Sequence, residues 1–413
     1  MSKILCLYSN KTSSWISCQK IVANLWQSYT LASNDAHQLH FGPEQKSQDL
    51  ISLAQEIVDL APDTISFIDH RPHPYDLLQY LIPLWMKNHS TFPELIFHVY
   101  GDFTLSYHKW SAMKHLIKGI KVKFCVASTA QRALIQKLIL NDIHHVPFAV
   151  NPQDFFYDEK LREKTRKELN LSKDENLYIF TGRLSYQKNI HLLVERFLSH
   201  VESKNSSEKL LIFGHFDDLG DSFSDYQALT GHYYHQVNDI LKKHSRRDQV
   251  IFKGMADSKK LNEYYNASDF FINLSTHNDE DFGMSVAEAS HCGLSSIMTS
   301  WGGLKDFNFT PNKYLGVSIS PRKSIDLSLL ETYLDQSNNY DRKKLSQEAL
   351  DKFSIQASAE RIKEVVKTSG TVFEDFTDLF YRIHRNVLYT KKPYLNIDDQ
   401  LNSLYQELYV SYL

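Results

Sequence analysis

Short apolar runs alternate with longer amphipathic stretches along almost the whole sequence. Short runs bounded by turn residues predict buried β-strands, and stretches with apolar residues at helical spacing predict helices. The predicted strands of the first half are Ile4–Tyr8, Thr64–Ile68, Leu95–Val99 and Phe124–Ala127. Those of the second half are Leu177–Thr181, Leu210–Phe213, Val250–Phe252, Phe270–Leu274 and Ser296–Met298. The predicted helices include Ile16–Leu31, Ile190–His200 and Leu261–Ala267.

This alternation predicts an α/β fold in which parallel sheets carry helices on both faces. The chain has 413 residues, too many for one ordinary core, so the two runs predict two doubly wound, Rossmann-like domains. The turn signal Asn151-Pro152, followed by a highly charged helix, marks the boundary. We therefore predict an N-terminal domain of residues 1–152 and a C-terminal domain of residues 153–371. A helical, aromatic-rich tail of residues 372–413 is expected to pack back toward the N-terminal domain.

Glycine is concentrated in the second half of the chain. Of the 14 glycines, only Gly42, Gly101 and Gly119 precede residue 180. Most of the others follow predicted strands, where glycine lets a ligand approach the backbone. Ligands of open parallel sheets bind outside the carboxyl ends of the strands. The second half is therefore predicted to hold the main ligand.

Two cations lie at the strand–loop–helix junction that begins at Gly182. Arg183 and Lys188 follow this glycine, and a helix is predicted to start near Asn189. A guanidinium fork and an ammonium group at such a place suit a diphosphate. Two solvated surface cations remain the alternative for this motif taken alone.

An acidic loop follows the strand Phe270–Leu274 and leads into a helix. The N–H groups of Gly283, Met284 and Ser285 are predicted to point out of the helix start, where they favour a phosphate or a sugar. Glu280 in the loop and Glu288 one turn into the helix would grip hydroxyls at two points of one elongated ligand. A third motif, Gly302-Gly303, follows another strand and allows close backbone approach, although a plain tight turn explains it equally well.

Charge and composition narrow the function classes. The formal net charge is −3, which gives no sign of a general nucleic-acid binder. The beginning of the chain lacks the pattern of a signal peptide, and the four scattered cysteines suggest no disulfide framework, so a cytoplasmic location is expected. Residues 109–118 form a basic amphipathic stretch, read either as a core-facing helix or as a peripheral contact with the inner face of a membrane.

Taken together, these motifs resemble the retaining glycosyltransferases of family 4, which have the GT-B fold of two Rossmann-like domains facing across a cleft. The family's Gly-Arg loop with a downstream lysine is matched by Gly182, Arg183 and Lys188. Its E-x7-E signature is matched by Glu280 and Glu288, with the Phe-Gly of that signature at Phe282 and Gly283. The likeness covers roughly residues 146–306.

The resemblance implies a hexosyltransferase that uses a nucleotide diphosphate sugar, with a UDP-sugar favoured, and a saccharide or glycolipid acceptor. Arg183 and Lys188 would stabilise the leaving diphosphate, Glu280 and the N–H groups of Phe282, Gly283 and Met284 would hold the sugar, and Glu288 would grip the ribose. Gly254 and Met255 would contact the base. The family uses no metal or other cofactor, and two cations with a helix N-terminus can supply the required charge. Asp279 and Asp281 leave an Asp-x-Asp metal site as the competing reading.

The N-terminal half departs from the family pattern. The loop after the first strand, Ser9 to Trp15, has no glycine. The family's histidine near the end of a middle strand aligns with Tyr100, so His98, Tyr100, Asp102 and His70 are the candidate acceptor-site residues. Tyr100 could equally be an ordinary packed tyrosine, and His70, which follows the strand Thr64–Ile68, could equally only line a loop. These departures leave open a non-catalytic nucleotide-sugar-binding partner protein, or an epimerase or phosphorylase on the same fold.

Overall fold

The computed structural model describes residues 3–9, 16–101, 103–172, 175–218, 231–320, 323–336, 339–389 and 399–413. Two compact units divide the chain. Unit 1 contains residues 1–149 and 355–391, and unit 2 contains residues 150–354 and 392–413. Each unit has its own sheet with flanking helices, which confirms the predicted α/β class with two Rossmann-like domains.

The elements follow one another in the order strand, helix, strand through most of the chain. The first are β1 (Ile4–Tyr8), α1 (Ile16–Ala32), β2 (Ala36–His40), α2 (Ser47–Leu60), β3 (Thr64–Phe67), α3 (Tyr75–Asn88), β4 (Glu94–Val99), α4 (Tyr107–Ile117), β5 (Lys121–Val126), α5 (Thr129–Leu138) and β6 (Ile143–His145). Next come α6 (Glu159–Glu168), β7 (Leu177–Thr181), α7 (Ile190–Lys204), β8 (Lys209–Phe213), α8 (His232–Lys243), β9 (Val250–Gly254), α9 (Ser258–Ala267), β10 (Phe270–Asn273), α10 (Met284–His291), β11 (Ser295–Thr299) and β12 (Lys313–Leu315). The last are α11 (Leu330–Leu334), α12 (Arg342–Phe353), α13 (Ile355–Lys367), β13 (Thr371–Val372), α14 (Asp378–Tyr389) and α15 (Asp399–Tyr409).

The sheet of unit 1 has the order β2-β1-β3-β4-β5, and its strands are parallel. At the β5 edge, β6 pairs in parallel and β13 pairs antiparallel. Burial on both faces explains the apolar runs: Ile4, Leu5, Cys6 and Leu7 of β1 are completely buried.

The sheet of unit 2 is parallel throughout, in the order β12-β11-β10-β7-β8-β9. The chain enters at β7 in the middle, continues outward through β8 and β9, and then returns to β10 on the other side of β7. The strand order therefore reverses between β7 and β10. This reversal is the place where open α/β sheets bind ligands beyond the carboxyl ends of their strands.

The units divide the chain differently from the predicted domain limits. Residues 355–371 belong to unit 1, because α13 packs along α1 and the Ser28 hydroxyl donates to the Ile355 carbonyl at 3.4 Å. The tail packs back on the body as expected, but only its first part does so in unit 1, where Phe373 and Phe380 are completely buried. Residues 399–413 pack in unit 2, so the expected direction of the tail was wrong for its second part.

The basic stretch of residues 109–118 lies in α4 and its end. Trp110, Met113 and Ile117 are buried in unit 1, and the Trp110 ring packs against Phe97 at 5.8 Å. The core-facing reading of this stretch is thus confirmed, and its apolar face is already covered. In the described ranges, no helix combines the length and apolar character needed to cross a membrane.

Candidate functional site

The loop after β7 is fixed against the loop after β8. The Gly182 N–H donates to the Phe213 carbonyl at 3.0 Å, and the Leu184 N–H donates to the His215 carbonyl at 2.9 Å. A Cβ on Gly214 would lie 1.9 Å from the Gly182 oxygen, so only glycine fits there. Close approach of two backbones sets the direction in which the Gly182 loop leaves the sheet.

Arg183 extends from this loop and meets a carboxylate that the sequence reasoning missed. Its Nη1 lies 3.1 Å from Oδ2 of Asp217, and the two side chains are 23% and 19% exposed. The Asp217 N–H donates to the Leu184 carbonyl at 3.1 Å, which ties the two loops together. The guanidinium is therefore held in place while part of it remains accessible.

Lys188 and Glu280 meet where the strand order reverses. Lys188 follows β7 and Glu280 follows β10, and Nζ lies 2.6 Å from the Glu280 Oε2. Nζ also donates to the Ser275 hydroxyl at 3.2 Å, and that hydroxyl contacts the same Glu280 oxygen. The side chains of Lys188 and Glu280 are only 16% and 8% exposed. Limited exposure strengthens this charge-assisted contact.

The backbone of the Glu280 loop is bonded on both sides. The Glu280 N–H donates to the His277 carbonyl at 3.2 Å, and its carbonyl accepts from the Gly303 N–H at 2.8 Å. Gly283, at φ 107°, is the N-cap of α10, which begins at Met284. The predicted helix start is therefore confirmed, and Phe282, Gly283, Met284 and Ser285 lie directly after the carboxylate that contacts Lys188. A helix N-terminus favours anions at this point.

Glu288 is buried on α10 and connects back to β7. The Tyr265 hydroxyl donates to its Oε2 at 3.4 Å and lies 2.5 Å from the Thr181 Oγ1. Burial raises the pKa of Tyr265, and the Glu288 carboxylate raises it further, so the phenol stays protonated. Glu288 is thus connected through Tyr265 to Thr181, the last residue of β7.

Three cations act electrostatically on a buried histidine, His277, which the sequence motifs did not include. Burial lowers the pKa of His277 well below its usual value, and the charges of Lys188, Arg183 and Lys323 lower it further. Among the described residues its buried Nδ1 has no hydrogen-bond partner. The charges of Arg183, Lys188 and Lys323 therefore all act on one imidazole. Spacing along the chain carried no signal for His277 or Lys323.

Gly254 and Met255 lie at the end of β9. Gly254 has φ 68°, and its carbonyl accepts from the Gly214 N–H at 2.9 Å. The Met255 side chain is 53% exposed, and its sulfur lies 3.3 Å from Nδ1 of His215. The predicted base-contacting loop is accordingly next to the Gly182 and Gly214 turns.

The residues of the competing metal reading are buried rather than open to solvent. Asp279 and Asp281 are each 8% exposed, and the Tyr409 hydroxyl lies 3.5 Å from the Asp279 Oδ1. Within the parts of the chain that the structure describes, no three or more His, Cys, Asp or Glu side chains are grouped so that they could hold a metal ion.

In unit 1, three candidate acceptor-site residues line one small cavity: His70, His98 and Tyr100. His98 is buried, its Nε2 lies 3.0 Å from the Tyr29 hydroxyl, and burial lowers its pKa to about 3. The Tyr100 hydroxyl donates to the Ile68 carbonyl at 2.9 Å, so this tyrosine has a packing role. The fourth candidate, Asp102, and residues 10–15 of the first loop lie outside the described residues.

Part of the chain is similar in sequence to known proteins. Residues 161–349 match the family model described as glycosyl transferases group 1. An uncharacterized glycosyltransferase of Methanocaldococcus jannaschii is 28% identical over 189 residues, 46% of this chain and 42% of that protein. The D-inositol 3-phosphate glycosyltransferase of Xylanimonas cellulosilytica is 28% identical over 170 residues, 40% of this chain and 37% of that protein. The chain therefore matches less than half the length of these curated relatives.

The similarity in fold to solved structures covers a larger share of the chain. Anabaena HepE in complex with UDP has a TM-score of 0.65 at 14% identity, covering 88% of this chain and 99% of that chain. The sucrose-phosphate synthase of Thermosynechococcus elongatus has a TM-score of 0.57 at 15% identity, covering 88% and 98%. The chain has a GT-B-type fold, and the match to the glycosyl transferases group 1 model lies within unit 2.

Proposed function

We propose that this protein is a retaining glycosyltransferase of the family 4 type that moves a hexosyl unit from a nucleotide diphosphate sugar, with UDP favoured, to a saccharide or glycolipid. Assembly of a surface polysaccharide or glycolipid would use such a reaction. The contact between Lys188 and Glu280 at the reversal of the strand order carries the proposal. It is supported by Arg183 after the same strand and by the structures of HepE in complex with UDP and glucose and with UDP-glucose.

The chemistry assigned to each group follows from its charge. The bond from the sugar to the diphosphate breaks, and the leaving group gains negative charge, which Lys188, Arg183 and the start of α10 stabilise. Glu280 accepts hydrogen bonds from sugar hydroxyls, and Glu288 accepts from the ribose. The acceptor oxygen bonds to the anomeric carbon on the same face, and its proton goes to the departing phosphate. In unit 1, His70, His98, Tyr100 and Asp102 are the candidate acceptor contacts.

The first test is a panel of UDP-glucose, UDP-GlcNAc, UDP-galactose and GDP-mannose, read by the shift in unfolding temperature. We expect one or more UDP-sugars to stabilise the protein, since a ligand that binds only the folded state raises its stability. The stabilising donor should then release nucleoside diphosphate only when an acceptor is added, with the anomeric configuration retained by NMR. Binding without release would indicate the non-catalytic partner protein, and conversion of the sugar without an acceptor would indicate an epimerase.

Metal independence is a separate prediction. Activity is expected to persist in EDTA, because Lys188, Arg183 and the start of α10 supply the charge that a divalent ion supplies elsewhere. The measurement compares initial rates with EDTA, with added Mg²⁺ and with added Mn²⁺. A loss of activity in EDTA that Mg²⁺ or Mn²⁺ restores would instead assign Asp279 and Asp281 to a metal site.

A further inference from the structure

Four consecutive polar residues in the donor-site loop are buried. As whole residues, Asn278, Asp279, Glu280 and Asp281 are 3%, 8%, 6% and 8% exposed. Buried carboxylates and amides are costly unless other groups form hydrogen bonds or ion pairs with them. The groups that cover this loop therefore decide which arrangement it adopts.

The cover comes from a distant part of the chain. Helix α15 and the short turn that follows it, Val410–Tyr412, pack in unit 2 against this loop and the Gly302 turn. Five side chains of this segment share almost complete burial: Leu404, Tyr405, Leu408, Tyr409 and Tyr412 are 5%, 2%, 1%, 0% and 1% exposed. Three of these five side chains are tyrosines, which combine a large apolar ring with a polar hydroxyl.

The first tyrosine bonds to the beginning of the loop. The Tyr405 hydroxyl contacts the Asn278 Oδ1. The Lys323 Nζ donates to the same amide oxygen at 2.9 Å and to the Tyr405 hydroxyl at 3.0 Å. Lys323 also lies over the rings of Tyr405 and Trp301, 5.4 Å from each centroid. A closed set of contacts thus fixes Asn278, two positions before Glu280.

The other two tyrosines act on the middle of the loop. The Tyr409 hydroxyl lies 3.5 Å from the Asp279 Oδ1, and its ring stacks on Trp301 at 6.1 Å. A Cβ on Gly302 would lie 3.0 Å from the Tyr412 ring and 2.6 Å from the Glu280 carbonyl oxygen. The Gly302 backbone is therefore held between the Tyr412 ring and Glu280, and no larger residue fits.

We propose that Tyr405, Tyr409 and Tyr412 are positioning residues for Glu280. They hold residues 278–281 in the arrangement in which the Glu280 carboxylate meets Lys188, so that the donor site is already formed before a ligand binds. The catalytic consequence rests on the proposed function of Glu280 in holding the donor sugar. The structural part, the coupling of α15 to this loop, stands on the contacts alone.

Three variants separate the role of the hydroxyl from that of the ring. Y405F keeps the ring and removes the contact to Asn278. Y412L removes the ring beside Gly302. Y412F keeps that ring and should behave like the wild type. If the loop is correctly arranged only a tenth of the time, the Kd for the UDP-sugar rises about tenfold. We expect that rise for Y412L, and a smaller one for Y405F. The KM for the acceptor should stay within about twofold, because only the donor loop is disturbed.

The matched control is Y178F, which removes another buried tyrosine hydroxyl of unit 2. That hydroxyl donates to the Leu334 carbonyl at 2.7 Å and does not contact the loop. Y178F should lower the unfolding temperature without changing the Kd for the UDP-sugar. If Y405F and Y412L change the Kd no more than Y178F does, the positioning role is refuted.

Hydrogen exchange provides a readout that does not need activity. Peptides covering residues 276–284 should exchange faster in Y412L and Y405F than in the wild type or in Y178F. If the wild type binds none of the UDP-sugars but these peptides still exchange faster, the proposed function fails and the coupling of α15 to the loop holds. Unchanged exchange in both variants would overturn the coupling, whatever the activity.

Discussion

Replacing Glu280 by glutamine is expected to lower turnover by roughly 100-fold while unit 2 remains folded. The amide keeps the size of the side chain and still accepts from Lys188 and Ser275, which the carboxylate contacts. It removes the negative charge and with it the stronger, charge-assisted hydrogen bonds to sugar hydroxyls. The measurement is the steady-state rate of acceptor-dependent nucleoside diphosphate release, with the unfolding temperature recorded beside it.

Lys188→Ala should lower turnover by a similar factor for a different reason. It removes the cation that stabilises the leaving diphosphate and leaves the Glu280 carboxylate, 8% exposed, without that partner. A loss in kcat, rather than only a rise in the KM of the donor, indicates stabilisation of the transition state. Lys188→Ala should also lower the unfolding temperature more than Glu280→Gln does, because in Glu280→Gln the Lys188 ammonium, 16% exposed, can still donate to the amide oxygen.

Lys204→Ala is the matched control for both variants. Lys204 belongs to unit 2 and pairs with Asp335 at 3.0 Å, but the two side chains are 53% and 45% exposed. Exposed ion pairs contribute little to the free energy of unfolding, so this variant should keep wild-type turnover. Wild-type turnover in either Glu280→Gln or Lys188→Ala would show that the donor site has been assigned wrongly.

Acid is expected to destabilise the protein steeply below about pH 6.5, because several buried histidines stay neutral in the folded state. Burial lowers the pKa of His73 and His98 to about 3, and that of His191 and His291 to about 4. The unfolded chain takes up a proton on each near pH 6.5, and the folded chain does not. The contribution of these histidines to the free energy of unfolding is therefore fully present above pH 6.5. It is lost progressively as the pH falls from there toward 3 to 4.

The size of this effect is set by proton linkage. Each such histidine contributes a slope of about 1.4 kcal/mol per pH unit over that window. His98→Gln should flatten the pH dependence of the free energy of unfolding by about one histidine's share, measured by urea titration from pH 8 to pH 5. The same variant at pH 8 reports its cost in packing, which does not depend on pH. An unchanged slope in His98→Gln would contradict the linkage.

The central strands were predictable from the sequence, whereas the edge strands β2, β12 and β13 were not. β1 and β7 match their predicted bounds, because strands buried on both faces read as continuous apolar runs. β2, with the sequence AHQLH, has no completely buried residue and gave no such signal. β13 has only two residues and exists because it pairs with β5 across the chain, which no local pattern reveals.

The residues of the candidate site also fall into two groups, those that sequence motifs predict and those that they do not. Gly182, Arg183, Lys188, Glu280 and Glu288 follow from motifs of fixed spacing at strand ends. Asp217, His277 and the tyrosines of α15 belong to the site only through contacts between distant segments. In unit 1, His98 was selected by its place on a strand, but its observed partner is Tyr29 of α1. Sequence spacing thus located the charged groups, whereas packing determined what holds them.

The reversal of strand order also has a consequence for folding. Lys188 and Glu280 are 92 positions apart in the chain and become neighbours only when β10 docks beside β7. Strands β7, β8 and β9 are consecutive and can associate earlier, since closing shorter loops costs less entropy. During refolding, recovery of nucleotide-sugar binding would therefore report the late docking of β10 and not the first formation of the sheet.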